Sequence, residues 1–149
     1  QPIIIGVEDT AVSSEKELTE EEIRAMEEEV VKLVNEERAK YGLQPLQISE
    51  KLMQTAREKS KDMATNNYFS HTDPNGYNMA RDLNVAENVH GGSSDPKGAI
   101  YSWLNSKGHR ENILNPNDKY IGVGFAKNNN SEYSNYWTQQ FGSNDKWAN

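Results

Sequence analysis

The sequence predicts an α+β fold in which several helices pack on a small antiparallel sheet. Three helical patterns fill most of residues 19–108, and two strand-like segments near the C-terminus are separated by a run of asparagines. Helices followed by an antiparallel hairpin are typical of α+β domains rather than of alternating βαβ folds. Neither a GxGxxG nor a GxxxxGK[ST] motif occurs, which argues against a nucleotide-binding fold.

The first two helices are predicted from their caps and their apolar spacing. Thr19, with a glutamate three residues later, forms a capping-box pattern, and Gly42 suits a left-handed helix end. After a turn over 42–47, Ser49 is a good N-cap for a second helix that ends at Asn66 and Asn67. A turn over 72–76, a short helix over 77–83 and a short apolar segment over 85–89 follow.

The third helix is predicted to begin at Asp95, because an Asp N-cap followed by proline favours a helix start. Its buried stripe contains Ala99, Ile100, Trp103 and Leu104. We expect Gly108 to end it, so that His109 lies just beyond the C-terminus, where the helix dipole favours a protonated imidazole.

The C-terminal segments predict a hairpin. Apolar residues and glycines alternate in the first strand: Ile121, Gly122, Val123, Gly124 and Phe125. A turn over 128–131 leads into a return strand from Tyr133 to Phe141. The two glycines would let another layer approach that face of the sheet closely.

Composition predicts one domain over residues 19–149, preceded by an N-terminal arm or linker over residues 1–18. The net charge is −7, and residues 1–29 contain ten acids and two bases. No cluster of Lys and Arg interleaved with aromatics occurs, so we expect no nucleic-acid partner. We also expect no transmembrane segment, and the lack of cysteine excludes thiol chemistry.

Three residues are candidates for a site: His71, Glu87 and His109. Glu87 lies in an apolar segment, where an unpaired carboxylate is unusual. Two imidazoles and a carboxylate are able to bind a zinc-like ion, or to act as acid and base without a metal. Equally, each side chain is able to form its own ordinary hydrogen bond, and spacing alone leaves these alternatives open.

Five segments in order resemble the CAP superfamily of cysteine-rich secretory, antigen 5 and pathogenesis-related proteins, in its cysteine-free bacterial branch. They are Phe-Ser-His with a Pro-Asn-Gly turn at 69–76, Ala-Glu-Asn at 86–88, the Trp103–Leu114 segment, Ile-Gly-Val-Gly at 121–124 and Tyr136–Gly142. The resemblance covers roughly residues 27–142. It implies a three-layer α-β-α sandwich with a central antiparallel sheet, a secreted or cell-surface location and a large open cleft.

The resemblance also implies which residues line that cleft. Eukaryotic members carry two His and two Glu there, able to bind a divalent ion. His71 and Glu87 match two of these positions, whereas Ser106 and Tyr136 stand at the other two, and His109 belongs to the bacterial pattern. We therefore expect the cleft to contain these five residues, and we predict weak binding of a divalent metal, such as zinc, by His71, Glu87 and His109.

Three functions remain open from the sequence. The first is an extracellular binding module for a protein, lipid or cell-wall ligand. The second is a metal-assisted hydrolase of peptide or cell-wall substrates, and the third is a structural domain of the envelope. The absence of a G-x-S-x-G motif and of two of the family's four cleft positions favours the first.

Overall fold

The computed structural model describes residues 17–149, which form five α-helices and four β-strands. The helices are α1 Glu20–Lys40, α2 Glu50–Asn66, α3 Met79–Leu83, α4 Pro96–Leu104 and α5 Lys107–Ile113. The strands are β1 Gln47–Ile48, β2 Ala86–Gly91, β3 Tyr120–Lys127 and β4 Asn135–Gly142, and a 3-10 turn spans Asp145–Trp147. Residues 1–16 of the predicted arm lie outside the described residues. Over residues 17–149, no helix combines the length and the apolar character needed to cross a membrane.

The predicted caps of α1 and α2 are confirmed. The Thr19 side chain accepts from the backbone N–H of Glu22, and the Glu22 side chain accepts from the backbone of Thr19. Gly42, past the end of α1, has a φ of 69°, in the left-handed region that glycine adopts without strain. Ser49 caps α2 by accepting from the N–H of Leu52. These local signals therefore fix the ends of the two long helices.

The prediction of one continuous helix from Asp95 to Gly108 is wrong. The side chain of Asn105 donates to the Tyr101 carbonyl at 2.8 Å, and Ser106 adopts an extended backbone, so α4 ends before a new helix begins. Such side-chain bonds to the backbone compete with helix continuation. His109 consequently lies in the first turn of α5, not beyond a helix C-terminus.

The sheet has the strand order β1-β3-β4-β2. β3 pairs with β4 and β4 with β2, both antiparallel, which confirms the central antiparallel sheet. β1 is the exception: it pairs with β3 in parallel through two residues, Gln47, the last residue of the predicted turn, and Ile48.

Helices cover both faces of the sheet and make it the middle layer. The glycines of β3 face α2 at close range. A Cβ at Gly122 would lie 2.1 Å from the carbonyl carbon of Leu52, and a Cβ at Gly124 would lie 2.2 Å from the backbone nitrogen of Arg57. On the other face, the alternating side chains of β3 join the main core between the sheet, α1 and α4. Its fully buried members include Val30, Val34, Ala99, Trp103, Ile121, Val123 and Trp137.

Side chains of the helices also occupy several backbone groups at the two edges of the sheet. Beyond β1, the N–H of Val123 donates to Met53 Sδ at 3.2 Å and the N–H of Phe125 donates to Glu27 Oε2 at 2.9 Å. On the opposite edge, the carbonyl of Val89 accepts from Trp103 Nε1 at 3.1 Å. Backbone groups at the edges thus have partners from the helices.

Candidate functional site

His71 and Glu87 form a direct pair beside β2. The two are brought together by the turn after α2 and by the outer strand of the sheet, and His71 Nδ1 lies 2.8 Å from Glu87 Oε1. A carboxylate only accepts hydrogen bonds, so Nδ1 carries the hydrogen and donates. The Glu87 side chain is 2% exposed, whereas that of His71 is 46% exposed. The pair therefore consists of a solvent-exposed imidazole that is hydrogen-bonded to a buried carboxylate.

Gln140 and Thr55 fix the second oxygen of Glu87. Gln140 stands opposite Glu87 in the β2–β4 register and donates from Nε2 to Glu87 Oε2 at 2.8 Å. Gln140 Oε1 in turn accepts from the Thr55 hydroxyl at 2.7 Å. Both oxygens of the buried carboxylate are therefore hydrogen-bonded, which offsets the cost of its burial.

His109 is anchored to the same strand through its backbone. Asn88 of β2 donates from Nδ2 to the His109 carbonyl at 3.1 Å and accepts at Oδ1 from Asn112 at 2.8 Å. Burial, and then the positive charge of His71, lower the pKa of His109. His109 is thus biased toward its neutral form.

Lys59, which is not among the residues predicted from the sequence, lies next to the His71–Glu87 pair. It occupies the apolar stripe of α2 between Ala56 and Met63, a position where a lysine is a signal in itself, and it is 2% exposed. Its Nζ donates to the His71 carbonyl and to the Tyr68 hydroxyl, each at 3.1 Å. Burial lowers the pKa of Lys59, against the opposite effects of the negative charges of Glu87, Asp62 and Asp73.

The other two predicted cleft residues, Ser106 and Tyr136, form no hydrogen bond with the His71–Glu87 pair in the described part of the chain. Ser106 precedes α5 and makes no side-chain capping bond there. Tyr136 is fully buried in a small core with Met63, Ala64, Val89 and Ala126, and its hydroxyl accepts from the N–H of Tyr133 at 3.2 Å. The tyrosine side chain is therefore part of the packing between the sheet and α2.

The donor set does not fit a closed metal centre. Both oxygens of Glu87 are engaged by His71 and Gln140, and the Lys59 ammonium lies nearby. Among residues 17–149, no group of three or more His, Asp or Glu has the arrangement that holds a metal ion. A structural zinc site uses four ligands. The two imidazoles of His71 and His109 are the donors left for a weakly held ion, and that binding stays a prediction.

A groove of about 660 Å³ lies elsewhere, between the start of α1 and the β3–β4 turn. Its walls include Ile23, Lys61 and residues 125–130, but none of His71, Glu87 and His109. The groove and the candidate site residues therefore lie in different parts of the structure. Among residues 17–149, the walls of this groove hold no set of mutually bonded, buried polar groups like the one around Glu87.

Two comparisons with solved structures confirm the fold. An extracellular protein containing an SCP domain from Bacillus anthracis is similar with a TM-score of 0.69 and 29% identity, over 85% of this chain and 44% of that one. An outer surface protein from Borrelia burgdorferi also has a TM-score of 0.69, at 22% identity, over 77% of this chain and 90% of that one. The predicted α+β sandwich is thus confirmed.

Sequence comparison extends this similarity to a curated relative and a family. The uncharacterized protein YkwD of Bacillus subtilis is 43% identical over 127 residues, which cover 80% of this chain and 48% of YkwD. The chain therefore spans about half the length of that relative. The sequence profile of the cysteine-rich secretory protein family, CAP, matches residues 31–141, which is most of the chain. On this match, the chain belongs to the CAP family.

Proposed function

We propose that this domain acts outside the cell as a binding module, which presents the cleft around His71, Glu87 and His109 to a protein, lipid or cell-wall ligand. The observation that carries the proposal is the His71–Glu87 pair. Its buried carboxylate is held from two sides and orients an exposed imidazole at 2.8 Å. Such a pre-positioned polar group limits the ordering cost of binding. An extracellular location is supported by the similarity to the extracellular SCP-domain protein.

Substitution of His71, which removes the exposed imidazole, tests whether this site binds the proposed ligands. We expect His71→Ala to reduce co-sedimentation with purified cell walls or with lipid vesicles at least about tenfold, as for loss of a central contact. His90→Gln is the matched control, because His90 bonds to Ser93 instead of Glu87. Circular dichroism checks that each variant is folded. Undiminished binding by a folded His71→Ala protein would exclude the cleft as the binding surface.

A metal-assisted hydrolase is the second candidate, and the same pair favours it. With Nδ1 donating to Glu87, a neutral His71 keeps Nε2 as a free acceptor, the arrangement of an oriented general base. Release of soluble fragments from cell walls or from a peptide by the wild type, lost in His71→Ala but kept in His90→Gln, would replace the binding module with this enzyme.

Zinc binding is a separate expectation for the two imidazoles. We predict weak binding that is stronger at pH 7.5 than at pH 5.5, because an imidazole must lose its proton to bind a metal. Calorimetric titration of the wild type, His71→Ala and His109→Ala measures it, and each substitution should abolish the heat of binding. Retention of binding in both variants would place the ion elsewhere.

A further inference from the structure

Lys59 brings a positive charge next to the His71–Glu87 pair. The residue belongs to α2, faces the sheet and is 2% exposed, so its ammonium is separated from bulk water. Two of its contacts are with the segment that carries His71: the His71 carbonyl and the Tyr68 hydroxyl, each 3.1 Å from Nζ. Nζ also lies 4.8 Å from the centre of the Tyr68 ring.

Three carboxylates offset the effect of burial on this ammonium. Glu87, Asp62 and Asp73 each act on it electrostatically, Glu87 most strongly. Asp62 is linked to it through Tyr68, whose hydroxyl donates to the Asp62 carboxylate while accepting from Lys59. A buried ammonium is costly unless anions compensate it, and a buried carboxylate is costly without a cation. Lys59 makes no direct ion pair with Glu87, but its Nζ bonds to the carbonyl of His71, whose Nδ1 bonds to Glu87, so that the two charges lie on opposite sides of one residue.

We infer that Lys59 is the resident cation of the cleft: it supplies beside Glu87 the positive charge that a divalent metal would bring, and so opposes metal binding at His71 and His109. Two cations repel strongly where water is scarce, since the effective dielectric is low. The main-chain bond from Lys59 to His71 also holds the segment that places the imidazole on Glu87. Lys59 is thus a specificity-determining residue that acts against cations.

This inference concerns the same cleft as the proposed binding module, but it does not depend on any partner, because zinc alone tests it. A failure of the module to bind cell walls or lipids leaves the zinc result intact. Likewise, an unchanged zinc affinity in Lys59→Gln would overturn this inference without affecting the proposed binding module.

Charge removal at position 59 is the decisive change. Lys59→Gln keeps a polar N–H group on a shorter side chain but loses the charge, whereas Lys59→Arg keeps the charge. By zinc calorimetry at pH 7.5, we expect Lys59→Gln to bind at least about tenfold more tightly than wild type. Lys59→Arg and the control Lys61→Gln, an exposed lysine of the same helix, should match wild type. Equal affinity of Lys59→Gln and wild type would overturn the inference.

A double-mutant cycle covers the case in which Lys59→Gln folds poorly. If Lys59 compensates Glu87, its replacement should be less destabilising in a Glu87→Gln background than in wild type, so that the double variant recovers stability. Urea unfolding of the four proteins measures this. Additive losses would show that the two charges are independent and would contradict the inference.

Discussion

His90 differs from His71 in its surroundings, although both lie near β2. The His90 ring is half-buried, meets the edge of Trp103 at 6.1 Å between centroids, and places Nε2 2.7 Å from the Ser93 hydroxyl. Burial, and then the positive charge of His109, lower the pKa of His90 below the ordinary value of 6.5. The folded protein therefore favours a neutral imidazole at this position.

This pKa shift predicts a loss of stability in acid. Below pH 6.5 the unfolded chain takes up the proton of His90 more readily than the folded chain, so the free energy of unfolding falls as the pH falls. Above that pH both states are neutral and the contribution is constant. Urea unfolding at pH 7.5 and pH 5.0 should show a smaller acid loss in His90→Gln than in wild type. Parallel losses in the two proteins would contradict the shift.

At the scale of elements, the packing of α2 on β3 depends on the absence of side chains at two positions. A Cβ at Gly124 would lie 2.2–2.3 Å from backbone atoms of Ala56 and Arg57, which no rotamer change relieves. Helix and strand would have to separate. The close contact between these elements is therefore specified by glycine.

Gly124→Ala should lower the free energy of unfolding by about 1–3 kcal/mol or more, as for an overpacked core. Gly108→Ala is the matched control, because nothing lies within 4 Å of its would-be Cβ and α5 is helical there. That variant should be as stable as wild type or slightly more stable. Chemical denaturation compares them, and a Gly124→Ala protein as stable as Gly108→Ala would refute the close-packing argument.

Elements with strong local signals were predictable from the sequence. The capping box at Thr19 and the alternation of glycines with apolar residues in β3 express short-range chemistry, and the structure confirms both. β1 was missed, because two residues carry no periodicity and its pairing depends on the distant β3. The break at Asn105 was missed because Gly108 is the stronger apparent helix stop, although it lies inside α5.

The candidate site was predictable only in part, for the same reason. His71 and Glu87 stood out as ionisable residues in unusual surroundings, and the structure joins them directly. Gln140, by contrast, reaches Glu87 only through the β2–β4 register, a long-range property that no local pattern encodes. Lys59 was visible as a charged residue in an apolar stripe, but its partners come from the following turn.

At the scale of the whole molecule, the carboxylate of Glu27 connects the sheet with a helix on each of its faces. Glu27 of α1 accepts from the N–H of Phe125 in β3 and from two nitrogens of Arg57 in α2, at 2.5 and 2.9 Å. Its side chain is almost fully buried, so these bonds are little screened by salt. Glu27 thus links α1 and α2, which pack on opposite faces of the sheet, directly at the edge of the sheet.

The side chains at the edges of the sheet also bear on how another strand could pair with this domain. Many proteins recruit an extended peptide, or a second copy of themselves, by adding a strand to an open edge, and the same exposure seeds fibrous aggregates. Here, Met53 and Glu27 hold two backbone N–H groups of β3, and Trp103 holds a carbonyl of β2. An incoming strand would have to displace these side chains first. Strand addition at these positions is therefore disfavoured.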